Sequence, residues 1–256
     1  MNGLLIMKRR RVLLTGAKLI LACNPLMGLG AEPDPVYFLS KAQDAASPAP
    51  TVAIDASPYI GGEGYTLLSP GEPDSLTVVA QGPYDGNILP IIVRNNTSES
   101  LYDVGALGIA RDASGTLIAT GEDQRFEPST IEPGGLALGY VYLDGVELPS
   151  DATYEFELSA ETPESGTPYF ANVVIQEATF LSDRVVGIAN NSNEFPVTGP
   201  VSIYLACLAA DGSIGSFHTS FADKEAADTG EDIPFQVPLY NNEDCSTFVV
   251  ALGAYG

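Results

Sequence analysis

After residue 74 the chain runs in short segments that alternate apolar and polar residues, with turn-forming residues between them. Tyr154, Phe156 and Leu158 alternate with Glu155 and Glu157. Successive side chains of a strand point to opposite faces, so this spacing predicts a strand buried on one side only. Residues 104–110 and 201–208 read as further strands, each followed by a hairpin turn at Asp112-Ala113-Ser114-Gly115 or Ala210-Asp211-Gly212. Glu132-Pro133-Gly134-Gly135 and Asp228-Thr229-Gly230 break the chain again before the next strands. No run of helical period long enough to compete occurs after residue 40.

The same script is written twice. Ile91-Ile92-Val93-Arg94-Asn95-Asn96-Thr97 recurs 95 positions later as Val186-Gly187-Ile188-Ala189-Asn190-Asn191-Ser192. Ala110-Arg111-Asp112-Ala113-Ser114-Gly115 recurs 97 positions later as Cys207-Leu208-Ala209-Ala210-Asp211-Gly212. Thr153-Tyr154-Glu155-Phe156-Glu157-Leu158 recurs 94 positions later as Thr247-Phe248-Val249-Val250-Ala251-Leu252. Only the first copy keeps the outward glutamates in its last strand. The expectation is an all-β chain with two tandem immunoglobulin-like antiparallel β-sandwiches, residues 74–162 and 168–256.

The order strand, Asn-Asn-(Thr/Ser), loop, strand, Ala-(Ser/Asp)-Gly, break and closing strand resembles the FxLYD-type domain, a small immunoglobulin-like module of bacterial envelope lipoproteins. The eponymous motif is degenerate, standing as Gly108-Ile109-Ala110-Arg111-Asp112 and Leu205-Ala206-Cys207-Leu208-Ala209. The resemblance covers about residues 75–160 and 171–256. It implies a fold and a compartment and brings no catalytic residues.

The N-terminus changes the picture of compartment. Lys8-Arg9-Arg10-Arg11 precedes a short apolar stretch, residues 12–22, interrupted by Lys18, so residues 1–23 read as a signal segment. Ile20-Leu21-Ala22-Cys23 resembles a bacterial lipobox, which would make Cys23 the lipidated new N-terminus. Cleavage near Gly30-Ala31 with Cys23 discarded, and a retained anchor, stand as the rival readings. Residues 24–73, rich in Pro, Ala and Gly, read as a flexible tether, although residues 52–54 and 65–68 also suit a short edge strand.

The chain holds 33 acidic residues against 11 basic ones, a net charge of −22. Five of the basics (Lys8, Arg9, Arg10, Arg11, Lys18) lie in the signal segment, so the remainder is near −27. A surface so negative repels phosphate backbones and anionic lipid heads, which excludes nucleic acid as a partner. Membrane attachment is expected only through the lipid.

Candidate chemistry is sparse. Cys207 and Cys245 both fall in the second copy, and an exported domain with two cysteines predicts a disulfide between them. By strand parity, however, Cys245 matches Val249 on the outer face, and two separate buried thiols remain the rival. His218 lies in Ser216-Phe217-His218-Thr219-Ser220-Phe221, where inward Phe residues would leave it exposed with Ser216 and Ser220. No Gly-x-Ser-x-Gly elbow, metal-binding His/Glu motif, EF-hand or phosphate loop occurs. Glu122-Asp123, Asp223/Glu225/Asp228, Glu231-Asp232 and Glu243-Asp244 have the residue type of a glycosidase acid pair but sit in turns. Asn95-Asn96-Thr97 and Asn190-Asn191-Ser192 match glycosylation acceptors, yet their recurrence suits turn geometry better.

The expectation is therefore a non-enzymatic extracytoplasmic envelope lipoprotein or secreted protein. It would need no cofactor or metal and would contact an unidentified protein or envelope component. The alternative is a carbohydrate- or Ca²⁺-binding adhesive module.

Overall fold

A computed structural model of the chain describes residues 36–40, 58–145, 147–162, 170–240 and 243–255. The signal segment with Cys23 lies outside the described residues. Apart from α1 (Gly64–Leu67), a single helical turn, the described elements are strands. β1 (Val36–Ser40) and β2 (Tyr59–Gly61) come first. The first half then holds β3 (Leu76–Gln81), β4 (Ile88–Asn95), β5 (Leu101–Arg111), β6 (Leu117–Glu127), β7 (Thr130–Ile131), β8 (Leu136–Tyr142) and β9 (Thr153–Glu161). The second holds β10 (Phe170–Asn172), β11 (Val174–Leu181), β12 (Arg184–Asn190), β13 (Val197–Thr198), β14 (Ser202–Leu208), β15 (Ile214–Phe221), β16 (Ala226–Ala227), β17 (Asp232–Pro238) and β18 (Phe248–Tyr255). Every strand pairing is antiparallel.

The repeat survives at the level of register. Ala110 pairs with Tyr154 between β5 and β9, and Cys207 pairs with Phe248 between β14 and β18. Leu101 pairs with Ile131, and its counterpart Val197 pairs with Ala227. Even the irregularity between Val78 and Ala80 in β3 returns between Ile175 and Glu177 in β11. One sequence alignment shifts by a residue: the partner of Asn95 is Asn191, not Asn190. Both side chains are fully buried. Asn95 Nδ2 donates to the carbonyls of Glu99 and Ile131, and Asn191 Nδ2 to those of Phe195 and Ala227. A buried amide must find such partners, so this bond pattern fixes the equivalence better than residue identity does.

The described residues form one compact unit, with three apolar seams among them. One seam lies within the first half, around Ile91, Val93, Phe156 and Leu158. Another lies within the second, around Ile203, Leu205, Ile233 and Phe235. The third joins the halves: Val79, Ala80, Ile92, Leu136 and Leu138 meet Tyr204, Ala206, Leu208, Val249 and Ala251. Strands at this junction are buried on both faces, as in the unbroken run over β14, whereas β17 alternates buried and exposed residues throughout. Tyr140, Tyr204 and Phe217 cluster there with ring centroids 5.6–6.1 Å apart, spacings at which edge-to-face pairs are favourable.

The tether expected over residues 24–73 is corrected where the structure describes it. β1 pairs along β9, with Val36 opposite Ala160. β2 adds to the edge of β18, with Tyr59 opposite Val250. Leu68 is buried in the third seam, and Asn96 Nδ2 donates to the carbonyls of Pro70 and Glu72. The Pro and Gly content suggested flexibility, but Tyr59, Ile60 and Leu68 supply enough apolar surface to anchor the segment. β2 precedes the first half in sequence yet adds to a sheet of the second.

Candidate functional sites

Cys207 and Cys245 form a disulfide, with Sγ atoms 1.93 Å apart and Cα atoms 4.9 Å apart. Cys207 lies in β14. Cys245 precedes β18 in an irregular loop, so the strand parity that placed it on the outer face does not apply, and it is fully buried. The bridge pins this loop to β14, an inner strand of its sheet.

His218 lies beside the bridge and is corrected from exposed to largely buried, its side chain 11% accessible. It pairs across the ladder with Leu205, and Ser216 pairs with Cys207, so both point to the face that carries the second half's own core. Phe217 points the other way, into the seam between the halves. The Phe spacing holds only in part: Phe217 packs at the junction, whereas Phe221 is exposed.

Ser216 Oγ lies 3.2 Å and Glu243 Oε2 2.8 Å from the same histidine atom, Nε2. A Ser-His-acid triad needs the serine on one ring nitrogen and the carboxylate on the other. Here a proton on Nε2 goes to Glu243, and Nε2 then has no lone pair to accept from Ser216. A cavity of about 370 Å³ lined by Cys207, Ser216, Glu243 and Asp244 adjoins this cluster. The arrangement orders a loop and does not activate a nucleophile.

Several of the remaining acids serve turns, but Glu122 and Asp123, expected in a turn, lie within β6, and Asp232 opens β17. Asp112 Oδ1 accepts from the Ser114 and Thr116 amides at 2.8 and 2.9 Å, and the Ser114 hydroxyl foremost among these bonds lowers its pKa. Asp211 does the same with Ser213, whose side chain lowers the pKa of Asp211. Lys224 lowers that of Glu231, which also caps the Asp228 amide. Asp123 differs: it accepts from the Ala106 amide at 2.6 Å, and burial raises its pKa. Among the described residues no group of three His, Cys, Asp or Glu side chains could hold a metal ion. Asn95 and Asn190, the glycosylation acceptors, already spend their amide hydrogens, Asn190 on the Gly230 carbonyl and Asp232 Oδ1.

Sequence reasoning missed Glu127, the last residue of β6. It is fully buried between the halves. Ser202 Oγ lies 2.5 Å and Arg125 Nε 2.8 Å from Glu127 Oε1, while Oε2 makes no hydrogen bond among the described residues. The carboxyl rests on the Ser202–Gly253 rung of the second half, where a Cβ on Gly253 would overlap it. Burial raises its pKa to about 7, outweighing the opposing pull of Arg125 and then the Ser202 hydrogen bond. No protein-family model matches the chain, and no curated protein matches it.

Proposed function

We propose that the chain is a non-enzymatic extracytoplasmic envelope protein, lipid-anchored through Cys23, that presents two tandem immunoglobulin-like modules of the FxLYD type in a structural or protein-interaction role. The observation that carries this reading is the shared register of the two halves: the degenerate motif segments fall on β5 and β14 and pair with β9 and β18 in the same way. A module duplicated around its scaffold, with its polar clusters committed to turns and loop anchoring, suits presentation of surfaces better than chemistry. The Cys207–Cys245 bridge fits an oxidising compartment.

Intact mass of the protein extracted from a membrane fraction tests it. The expected species begins at Cys23, carries lipid and retains one disulfide, and Cys23→Ser moves the protein to the soluble fraction. A full-length, uncleaved chain in the cytoplasm overturns the proposal.

A further inference from the structure

We propose that Glu127 is a proton-operated clamp between the two halves: protonated, its carboxyl closes the seam against Ser202 and Gly253; ionised, it loosens that seam while each half keeps its own core. This goes beyond the envelope reading and does not depend on it.

The hydrogen-bond inventory at the junction carries the argument. Ser202 Oγ lies 2.5 Å from Glu127 Oε1 and 3.0 Å from the Gly253 carbonyl oxygen. A hydroxyl has one proton and accepts as well as donates. With the carboxyl neutral, Glu127 donates to Ser202 Oγ, which donates in turn to Gly253, and the chain is complete. With the carboxyl ionised, both Glu127 and Gly253 are acceptors competing for one hydrogen. A charge is then buried with Oε2 making no hydrogen bond among the described residues, which is costly in a low-dielectric seam.

The groups facing Glu127 do not cancel this. Its own strand brings Arg125, whose Nε lies 2.8 Å away and favours the ionised form. β14 brings Ser202 and Tyr204, and β8 brings Tyr140 beside Tyr204. Tyr204, its pKa raised chiefly by burial, stays neutral. β18 contributes the Gly253 backbone. Nothing on the second half supplies a cation.

Sign and window follow from the raised carboxyl. An exposed glutamate titrates near pH 4.5 and Glu127 in the closed seam near 7, so the closed state holds the extra proton between these values. The clamp's contribution is complete below about pH 4.5 and is lost as pH rises through about 7. The counterpart of Glu127 in the second half, Asp223, is exposed and has no such role.

Hydrogen–deuterium exchange of the whole protein at pH 5.5 and 8.5, corrected for intrinsic exchange, tests the clamp. The expected result is a loss of protection in β8 and β14 on the order of tenfold or more at the higher pH. The inner-core strands β12 and β17 should change far less, and Glu127→Gln should abolish the pH difference. An equal fall in Glu127→Gln, or none in the wild type, overturns the proposal. Should that variant not fold, isotope-edited infrared spectroscopy of the wild type decides: a protonated-carboxyl band must be present at pH 5.5 and vanish in step with the loss of protection. Its absence at pH 5.5 overturns the proposal.

Discussion

On the first half, Val79, Ala80, Leu136, Leu138 and Tyr140 hold the positions that Gln176, Glu177, Asp232, Pro234 and Gln236 hold on the second. The former pack in the junction and the latter are exposed. β9 and β18 show the reverse. Val249 and Ala251 of β18 are fully buried at the junction, while their counterparts on β9 are Glu155 and Glu157. Each copy thus gave a different face to the junction and kept the other polar. An interface between non-equivalent faces of a repeat can propagate from copy to copy into an open array. Here the two free faces carry glutamates, glutamines and a proline, which cap the array at two in the way terminal repeats cap a solenoid.

Exchanging the two faces is the most severe way to break this comparison. Val249→Glu with Ala251→Glu writes the first half's pattern into the junction and buries two carboxylates in an apolar seam. The expected cost is at least about 4 kcal/mol, with the junction lost before the cores. The mirror variant, Glu155→Val with Glu157→Ala, should leave stability within about 0.5 kcal/mol and instead promote self-association through the new apolar face. Urea unfolding and sedimentation velocity read both outcomes. A cost below about 1 kcal/mol for the junction pair would show that the halves do not depend on this contact.

The strand script was legible in the sequence because each strand's inward residues are spaced by two, as Phe156 and Leu158 are, and because Gly115/Gly212 and Gly134/Gly230 punctuate both copies with left-handed backbone. The junction was legible too, but in a signal read as mere asymmetry: β18 lacks the outward glutamates of β9. The run Val249-Val250-Ala251-Leu252 is apolar on both faces because both are covered. His218 was misplaced because the face read as outer is the one that, through Leu205, carries the second half's own core. Glu127 had no local signature. Arg125-Phe126-Glu127-Pro128 reads as a strand end, and its burial depends on Ser202, 75 positions away. β2 was too short and too rich in neighbouring glycine for its pairing to β18 to be inferred.

The halves also differ in how their hairpins are secured, and the disulfide sharpens that contrast. The bridge closes a loop of 38 residues in the second half, and the first half has no counterpart. Replacing Cys207 and Cys245 together by alanine should cost about 3–4 kcal/mol, as expected for removing a loop of this size. The loss should be confined to the second half and to β2 on its edge. Exchange protection in β5 and β9 should stay at its wild-type level while that in β14 and β18 falls. Equal losses in both halves would mean that the cores do not open separately.

The smallest expected effect lies at a single backbone position that the two copies solve differently. Asp103 adopts φ of 47°, and its counterpart Gly199 adopts φ of 88°. In the first copy β5 runs through this position with a register irregularity against β9 between Tyr102 and Gly105, whereas in the second copy the position lies between β13 and β14. The left-handed region crowds a Cβ against the following carbonyl, at a cost of about 1 kcal/mol that glycine avoids and aspartate partly tolerates. Glycine returns some of that gain through the entropy of the unfolded chain. Asp103→Gly should therefore stabilise the first half by no more than about 1 kcal/mol, whereas Gly199→Asp should destabilise the second by a similar amount. Thermal midpoints of the two variants, measured against the wild type, should move in opposite directions. Movement in the same direction would show that this position is held by something other than backbone conformation.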